Sequence, residues 1–544
     1  MKIIRIFLII AAVCLISQVD ISAQKKQDGA AAITAKDIES HMSFLASPLL
    51  KGRDDGDPGL EIAQQYIVSQ VKIMGLKPAN GTSYYQPYNI YKTVMDPEKT
   101  MIQIIDNNKD TVTINKPILQ INPDIPADFD VSGEIIFAGY GLKQNRYKYN
   151  DFENIQTEGK ILLIMYGAPT SEDGKRYIFE GQDWNSVLYN LNAKVLAVMG
   201  SRSKAVIIVM NPKSGFSSFD QKYPGYAGDL SSSSSLSKEQ IRNPLMAILP
   251  KIILADRSVA DEILSGSGHS LEELQKKIDT ELKPVTFQVP GKQVRIKEAS
   301  VQKEITLNNV AALIEGSDPV LKNEYLIFSG HADHKGFRGN LINAGADDNA
   351  SGCAALLSIA KAFQSLDKKP LRSILFLWFS GEEIGLFGSK TYINNPLVPL
   401  EKTVADLNMD MIGRNKGVAD TTSETPMTGP DKVFVITCNQ SRELVDIANE
   451  IDKTTVLDLD YSLSGKNNPL QLFSRSDHYN FVQKDIPVLF FTSGLHSDYH
   501  TPGDVLEKID FNKIELVSRA MYQIGSSVAN RKTRIVVDNP FSKW

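Results

Sequence analysis

The sequence has little cysteine and no strong excess of either charge. Of its 544 residues three are cysteine, and 59 Lys and Arg stand against 64 Asp and Glu. This balance gives no reason to expect the basic stripe that nucleic-acid-binding proteins usually carry, so no nucleic-acid partner is expected. Cys353 and Cys438 each lie in an apolar run far apart in sequence. We therefore predict buried free thiols rather than a disulfide framework or a thiolate zinc cluster.

Long apolar runs are also scarce. After residue 23 no segment has the roughly 18 uninterrupted apolar residues that a membrane-spanning helix needs. Residues 1–23 differ, because Lys2 and Arg5 precede an apolar run and the small residues Ser22 and Ala23 follow it. This pattern is typical of a secretory signal peptide and predicts an exported protein, periplasmic or secreted, with no other membrane association. A competing interpretation is an uncleaved anchor, for which the apolar core is short.

From about residue 305 onward, strand-like and helix-like segments alternate. Such alternation predicts an α/β fold, with a mostly parallel (mixed) sheet sandwiched by helices. Helices are predicted at 36–50, 59–75 and 352–366. The strand candidates are Val310–Ile314, Tyr325–Ser329, Ser373–Phe379, Ala405–Met409, Val433–Thr437 and Val488–Thr492.

The segment between residues 128 and 284 has a different texture. Short β-rich runs are separated by Gly and Asn turns, a run of serines at Ser231–Ser235 is typical of a loop, and a helix is predicted over 258–279. We predict that 128–284 is a separate β-rich domain inserted into a catalytic domain made of 36–127 and 285–530.

Five of the seven histidines fall in the second half of the chain, next to acidic residues that follow predicted strands. In an open α/β sheet, ligands bind outside the carboxyl ends of the strands. Each motif alone has an ordinary explanation, such as a helix cap for Asp348 or a solvated acidic turn for Glu382 and Glu383. The motifs are Gly330-His331-Ala332-Asp333, Ala346-Asp347-Asp348-Asn349, Gly381-Glu382-Glu383, Asn408-Met409-Asp410 and Asp498-Tyr499-His500.

With one ligand taken from each motif, the set contains two histidines and three acids, and one glutamate is left over. This number of donors suits two metal ions that share one carboxylate. Nitrogen and oxygen ligands without thiolates favour zinc, cobalt or manganese, and zinc is the commonest in hydrolases.

The motifs, in this order, resemble those of co-catalytic dizinc aminopeptidases and carboxypeptidase II-like metallopeptidases. Two amino-terminal stretches, Gly52-Arg53 and Gly75-Leu76-Lys77-Pro78, are also similar to that family. The inserted segment resembles a protease-associated domain, on the evidence of Ala138-Gly139-Tyr140-Gly141 and Tyr149-Asn150-Asp151-Phe152.

The resemblance implies two zinc ions per chain and a role for each motif. Asp347 would bridge the metals, with a cis peptide bond after it. Glu382 would be the general base, Asp333 would orient His331, and Tyr499 would stabilise the oxyanion. The two metal sites would be completed by His331 with Asp410 and by Glu383 with His500. For the other three histidines of this half, His334, His478 and His496, a structural or supporting role is expected.

The resemblance therefore predicts a zinc exopeptidase acting on peptides, and an aminopeptidase in particular, and the signal-peptide pattern predicts that it is exported. Three competing functions stay open on the sequence. They are a carboxypeptidase II-like peptidase, a glutaminyl cyclase-like acyltransferase with one zinc, and a non-catalytic receptor-like binding protein without metal.

Overall fold

The computed structural model describes residues 29–543 with several gaps. The gaps are 97, 115–118, 122–128, 172–186, 224–231, 239–249, 339, 418–425, 438–439, 466–467 and 469. The predicted signal peptide and Cys438 therefore lie outside the described residues.

The described residues form helices and strands that alternate along the second half of the chain. The helices are α1 (Ala35–Leu45), α2 (Pro58–Ile73), α3 (Val187–Met199), α4 (Phe219–Lys222), α5 (Arg257–Leu264), α6 (Leu271–Glu281), α7 (Gly352–Gln364), α8 (Phe387–Asn394), α9 (Arg442–Asp452), α10 (His478–Val482) and α11 (Phe511–Ala529). The strands are β1 (Lys77–Pro78), β2 (Tyr85–Met95), β3 (Met101–Asp106), β4 (Thr111–Ile114), β5 (Leu119–Ile121), β6 (Phe129–Ala138), β7 (Lys143–Gln144), β8 (Tyr149–Asn150), β9 (Ile161–Met165), β10 (Ala205–Val209), β11 (Ser232–Ser235), β12 (Lys251–Ala255), β13 (Thr286–Glu298), β14 (Ser300–Ile314), β15 (Tyr325–His331), β16 (Phe337–Arg338), β17 (Leu341–Ile342), β18 (Ser373–Phe379), β19 (Thr403–Met409), β20 (Lys432–Ile436), β21 (Asp458–Asp460) and β22 (Val488–Thr492).

The chain divides into two compact units. Unit 1 contains residues up to 88, 307–337 and 342–544, and unit 2 contains 89–306 and 338–341. These boundaries differ from the predicted 127/128 and 284/285. The reason is that β3 and β13, assigned by sequence to the catalytic part, pair with each other in the sheet of unit 2.

Unit 1 is built on a mixed sheet with a parallel centre. Its strand order is β2-β14-β18-β15-β19-β22-β20-β21, with β1 paired to β14. The four central strands β18, β15, β19 and β22 run parallel, whereas β14 and β20 are antiparallel to their neighbours β18 and β22. The predicted α/β class and mixed sheet are confirmed.

Both faces of this sheet are buried against helices. In β18, Ile374, Phe376 and Trp378 pack on the side of α1, α2, α7 and α11. The intervening residues Leu375 and Leu377 pack on the side of α8 and α10. Because successive side chains in a strand point to opposite faces, a strand covered on both sides is apolar throughout, as β18 is.

Unit 2 has a second mixed sheet, in the order β4-β3-β13-β6-β9-β10-β12-β5. Its centre, β6, β9, β10 and β12, is parallel. In β9, Ile161 and Leu163 face the core that includes α5 and α6, and Leu162 and Ile164 face the core that includes α3 and α4.

Two local expectations have a clear outcome. The serine run predicted as a loop contains β11, which pairs antiparallel with Tyr91–Val94 of β2. Sheet pairing with a neighbour here overrides the low strand propensity of serine. Cys353 is a buried free thiol, as predicted. Among the described residues, no helix is both long enough and apolar enough to cross a bilayer.

Candidate metal centre

The parallel strands of unit 1 bring the predicted site residues to one edge of the sheet. His331 is the last residue of β15, Glu382 and Glu383 follow β18, and Asp410 follows β19. His500 lies in the loop after β22. Carboxyl ends of parallel strands meet at the same edge, so residues far apart in sequence form one cluster there.

Asp348 lies at the centre of this cluster. Its Oδ1 is 3.3 Å from Nε2 of His331, and its Oδ2 is 3.1 Å from Nε2 of His500. On the first side, Oδ1 of Asp410 is also 3.3 Å from Nε2 of His331. On the second side, Oε2 of Glu383 is 3.1 Å from Nε2 of His500. The two oxygens of one carboxylate thus face two separate groups of donors.

Asp347, which was predicted to take this central position, points elsewhere. Its Oδ1 accepts a hydrogen bond of 2.6 Å from the main-chain N–H of Gly413. Its Oδ2 lies 3.5 Å from Nε2 of His496. Asp348, one residue later, lies where Asp347 was expected, because the turn Ala346–Ser351 is irregular at Asp348 and directs neighbouring side chains to different sides. The cis peptide bond likewise joins Asp348 to Asn349, not Asp347 to Asp348.

His334 joins the cluster, although a supporting role was expected for it. Its Nδ1 is 2.7 Å from Oε1 of Glu383 and 3.6 Å from Oδ2 of Asp348. Two groups of side chains in the described residues have donor atoms close enough to hold a metal ion. One is His331, Glu382 and Asp410, and the other is His334, Asp348 and Glu383.

Asp333 contacts both sides of the cluster. Its main-chain oxygen lies 3.2 Å from Nδ1 of His331, whereas its carboxylate Oδ1 is at 3.7 Å from the same atom. The other carboxylate oxygen accepts a hydrogen bond of 3.1 Å from the main-chain N–H of Glu383. Asp333 is therefore placed to orient His331 mainly through its backbone. Its side chain is placed to orient the loop that carries Glu383.

Tyr499 borders the cluster, whereas His478 does not. The ring of Tyr499 stacks on His500 with centroids 3.7 Å apart, and Nη2 of Arg475 lies 3.5 Å from its hydroxyl. His478 contacts other residues instead, because its Nε2 bonds the main-chain oxygen of Phe473 and its ring stacks on Phe490.

No role was predicted from the sequence for two buried residues that hold the turn around Asp348. Arg53 donates hydrogen bonds to main-chain oxygens only, and it is almost completely buried. Asp504 accepts from the main-chain N–H groups of Asp347 and Asp348 at 3.0–3.1 Å. No local pattern marks these contacts, because they join segments that are distant in sequence. The acceptors of Arg53 are the oxygens of Leu45, Ala332, Ala344, Gly345 and Asp348.

The electrostatics of the cluster show an excess of buried carboxylates. Burial lowers the pKa of His331, but Asp410 and Glu382 raise it well above its ordinary value. The pKa of His500 is raised to about 9, because Glu383 and Asp348 outweigh the effect of burial. Burial raises the pKa of Glu382 well above its usual range, against the opposite effect of His331. Acids gathered in this way are stabilised by cations.

The donor atoms also lack the hydrogen-bond partners that buried polar atoms normally have. Those without a partner include Nε2 of His331, Nε2 of His500, Oδ1 of Asp410, Oε1 of Glu383 and both ring nitrogens of His334. Unpartnered nitrogen and oxygen donors converging on two points fit a pair of divalent cations of the zinc type.

Comparison with known proteins shows similarity to a family of peptidases. Residues 309–525 match the model of peptidase family M28. Leupeptin-inactivating enzyme 1 of Streptomyces exfoliatus is 39% identical over 106 residues, which cover 19% of this chain and 22% of that protein. The "Probable glutamate carboxypeptidase AMP1" of Arabidopsis thaliana is 26% identical over 315 residues, or 56% of this chain and 42% of that protein. The chain thus matches less than half the length of either relative.

Some solved structures resemble this chain over most of its length although their sequence identity to it is low. The aminopeptidase from Aneurinibacillus sp. strain AM-1 superposes with a TM-score of 0.52 at 18% identity, covering 94% of this chain and 98% of that one. BSAP, a zinc aminopeptidase from Bacillus subtilis, gives 0.51 at 18% identity, covering 90% and 94%. Residues 309–525, the stretch that matches the model of peptidase family M28, include every member of the cluster around Asp348.

Proposed function

We propose that the protein is an exported, zinc-dependent exopeptidase, and specifically an aminopeptidase that removes N-terminal residues from peptides. The observation that carries this proposal is the position of Asp348, whose two carboxylate oxygens face two separate donor groups at 3.3 and 3.1 Å. The family match and the aminopeptidase and zinc named for the similar structures support it.

Two zinc ions would be held on either side of Asp348. His331 and Asp410 supply the other donors on one side, and Glu383 and His500 supply them on the other. Bound metal ions of this kind lower the pKa of water and polarise a scissile carbonyl. Cobalt or manganese could replace zinc with the same ligands.

Glu382 is the residue we assign as general base. It adjoins Glu383, and a carboxylate oxygen of it lies within 4.8 Å of donor atoms of His331 and Asp410. In the proposed reaction Glu382 accepts a proton from the attacking water and returns it to the leaving amine.

Tyr499 is assigned as the donor to the developing oxyanion. Its ring is fixed by stacking on His500. Burial raises its pKa above the ordinary value, and the carboxylates of Asp348 and Glu383 add to that effect. A tyrosine that stays protonated can donate a hydrogen bond to negative charge that forms in the transition state.

A carboxypeptidase is the second candidate. It is favoured by the similarity over 315 residues to a protein named a glutamate carboxypeptidase. Tyr499 directly before His500 also resembles the carboxypeptidase II branch. The metal centre would be the same in both enzymes, and only the end of the peptide that binds would differ.

The location and the inserted unit complete the proposal. Export rests on the signal-peptide pattern of residues 1–23. For unit 2 we propose a protease-associated domain that restricts which substrates are accepted. A shortened protein that lacks unit 2, stays folded and cleaves the same peptides at the same rates would contradict that role.

The decisive experiment is digestion of a mixed peptide library by the zinc-loaded protein, followed by mass spectrometry. Peptides shortened one residue at a time from the amino terminus would support the aminopeptidase, and shortening from the carboxyl terminus would support the carboxypeptidase. Metal analysis distinguishes a peptidase from a cyclase or a receptor, because a peptidase should hold about two zinc ions, a cyclase one and a receptor none. If the protein holds two zinc ions and cleaves no peptide, the proposed function is contradicted.

A further inference from the structure

His334 is buried in the cluster, and neither of its ring nitrogens makes a well-formed hydrogen bond. Its side chain has no solvent exposure, and neither Nδ1 nor Nε2 has a hydrogen-bond partner of acceptable geometry. A buried imidazole normally satisfies at least one nitrogen, as His478 does with the main-chain oxygen of Phe473. We therefore expect a further partner for at least one of the ring nitrogens of His334.

The orientation of the His334 ring is set by its surroundings. The main-chain N–H of His334 donates to the oxygen of Arg53 at 3.0 Å. Its ring lies so close to Gly345 that a Cβ at that position would be 2.5 Å from a ring carbon. These contacts direct Nδ1 to the side of the cluster that contains Glu383 and His500.

We infer that Nδ1 of His334 is a fourth ligand of the metal site formed by Asp348, Glu383 and His500. This inference rests on the proposed zinc enzyme and deepens it. Four donors at about 2.1 Å from a tetrahedral zinc ion lie about 3.4 Å from one another. Here Nδ1 of His334 is 3.6 Å from Asp348, and Nε2 of His500 is 3.1 Å from both Asp348 and Glu383. The approach of His334 to Glu383 is closer, at 2.7 Å.

With His334 as a ligand, the two metal sites differ in their number of protein ligands. The site with His334 has four protein ligands, and sites of that kind have no open position. The site on the other side has three, namely His331, Asp348 and Asp410, and three protein ligands leave a fourth position for water or substrate. Glu382, the proposed base, is grouped with His331 and Asp410, which is the open side.

The competing interpretation is that His334 only donates a hydrogen bond to Glu383. The substitution His334→Gln separates the two, because a glutamine amide can still donate to Glu383 but is a poor zinc ligand. His41→Gln is the matched control, since His41 is also buried and its Nδ1 contacts Tyr66 rather than the cluster.

The test measures which side chains coordinate a single equivalent of metal. X-ray absorption of protein loaded with one zinc ion per chain should show two imidazoles per zinc in the wild type and in His41→Gln, and one in His334→Gln. Loaded with one cobalt ion, His334→Gln should lose most of the visible absorption of a four-coordinate site. Its affinity for the first metal ion should fall about 10–100-fold in competition with a chelator.

One imidazole per zinc in the wild type, or unchanged spectra in His334→Gln, would overturn the assignment of His334 as a ligand. These readouts do not depend on turnover. A protein with two imidazoles on the first zinc that cleaves no peptide would leave this assignment standing and contradict the proposed peptidase. A wild type that binds no zinc would overturn both.

Discussion

The carboxylate of Asp333 accepts a hydrogen bond of 3.1 Å from the main-chain N–H of Glu383. One side chain thereby connects the loop after β15 with the loop after β18. Because the first loop follows His331 and the second carries Glu382 and Glu383, this contact holds the two halves of the candidate site together. Such supporting contacts keep ligands at the distances that metal binding requires.

Replacement of the proposed base should remove catalysis and leave metal binding intact. We expect Glu382→Gln to lower kcat about 10²–10⁴-fold, the usual contribution of a positioned acid–base group. Zinc content should stay near that of the wild type. Glu39→Gln, at an exposed position of α1, is the control. Turnover of Glu382→Gln at the wild-type rate would exclude Glu382 as the base.

The neighbouring acids Asp347 and Asp348 allow a matched comparison of metal binding. Asp348→Asn removes the negative charge between the two donor groups, so we expect less than one zinc per chain after dialysis and no measurable activity. Asp347→Asn keeps an oxygen that can accept from the N–H of Gly413, and it should retain both metals. Retention of zinc by Asp348→Asn, with loss from Asp347→Asn, would restore Asp347 as the bridging acid.

The sequence predicted the central sheet well, because its signals are local. β18 and β22 begin and end where the apolar runs do, and β15 extends two residues beyond the predicted Ser329. Strands that are buried on both faces have to be continuously apolar, so their limits are visible in the sequence. The meeting of the ligands at one sheet edge then follows from parallel topology.

What the sequence could not predict depends on side-chain direction and on distant contacts. Asp347 and Asp348 are adjacent and chemically identical, and only the path of the turn decides which faces the histidines. Nothing near His334 distinguishes a ligand from a supporting histidine. The burial of Arg53 under main-chain oxygens of distant segments is likewise visible only in the folded chain.

Arg53 should matter for stability far more than a surface arginine. Arg53→Lys cannot reproduce the fork of donors that reaches five main-chain oxygens, and lysine leaves several of these buried oxygens unsatisfied. At about 1–3 kcal/mol for each buried unsatisfied group, we expect the free energy of unfolding to fall by at least about 3 kcal/mol. Thermal unfolding of metal-free protein measures this change.

The control for Arg53 is Arg519→Lys. Arg519 is only partly buried and donates to the main-chain oxygen of Ile33. Its substitution should cost less than about 1 kcal/mol. Equal losses in the two variants would show that the buried position of Arg53 has no special effect on stability.

The hydroxyl of Tyr499 can be tested without disturbing its stacking. Tyr499→Phe keeps the ring that lies 3.7 Å from His500, so metal content and KM should change little. Loss of one oxyanion donor should lower kcat about 10²–10³-fold. Tyr479→Phe, whose ring packs against Phe473, is the control. An unchanged kcat in Tyr499→Phe would reduce Tyr499 to a packing residue.

The pH dependence of stability should reveal the buried imidazole of His478. Burial lowers the pKa of His478 from its ordinary value of 6.5 to about 3, with a smaller opposing effect of the Phe473 oxygen. Between those values the unfolded chain binds a proton that the folded chain does not, so stability falls as the pH decreases from 6.5 towards 3. His478→Gln removes this group. We therefore expect the Tm of the variant to fall less than that of the wild type between pH 7 and pH 5, with metal-free samples compared by calorimetry. The same loss of Tm in both proteins would mean that His478 titrates alike in the folded and unfolded states, contrary to its buried contact with Phe490.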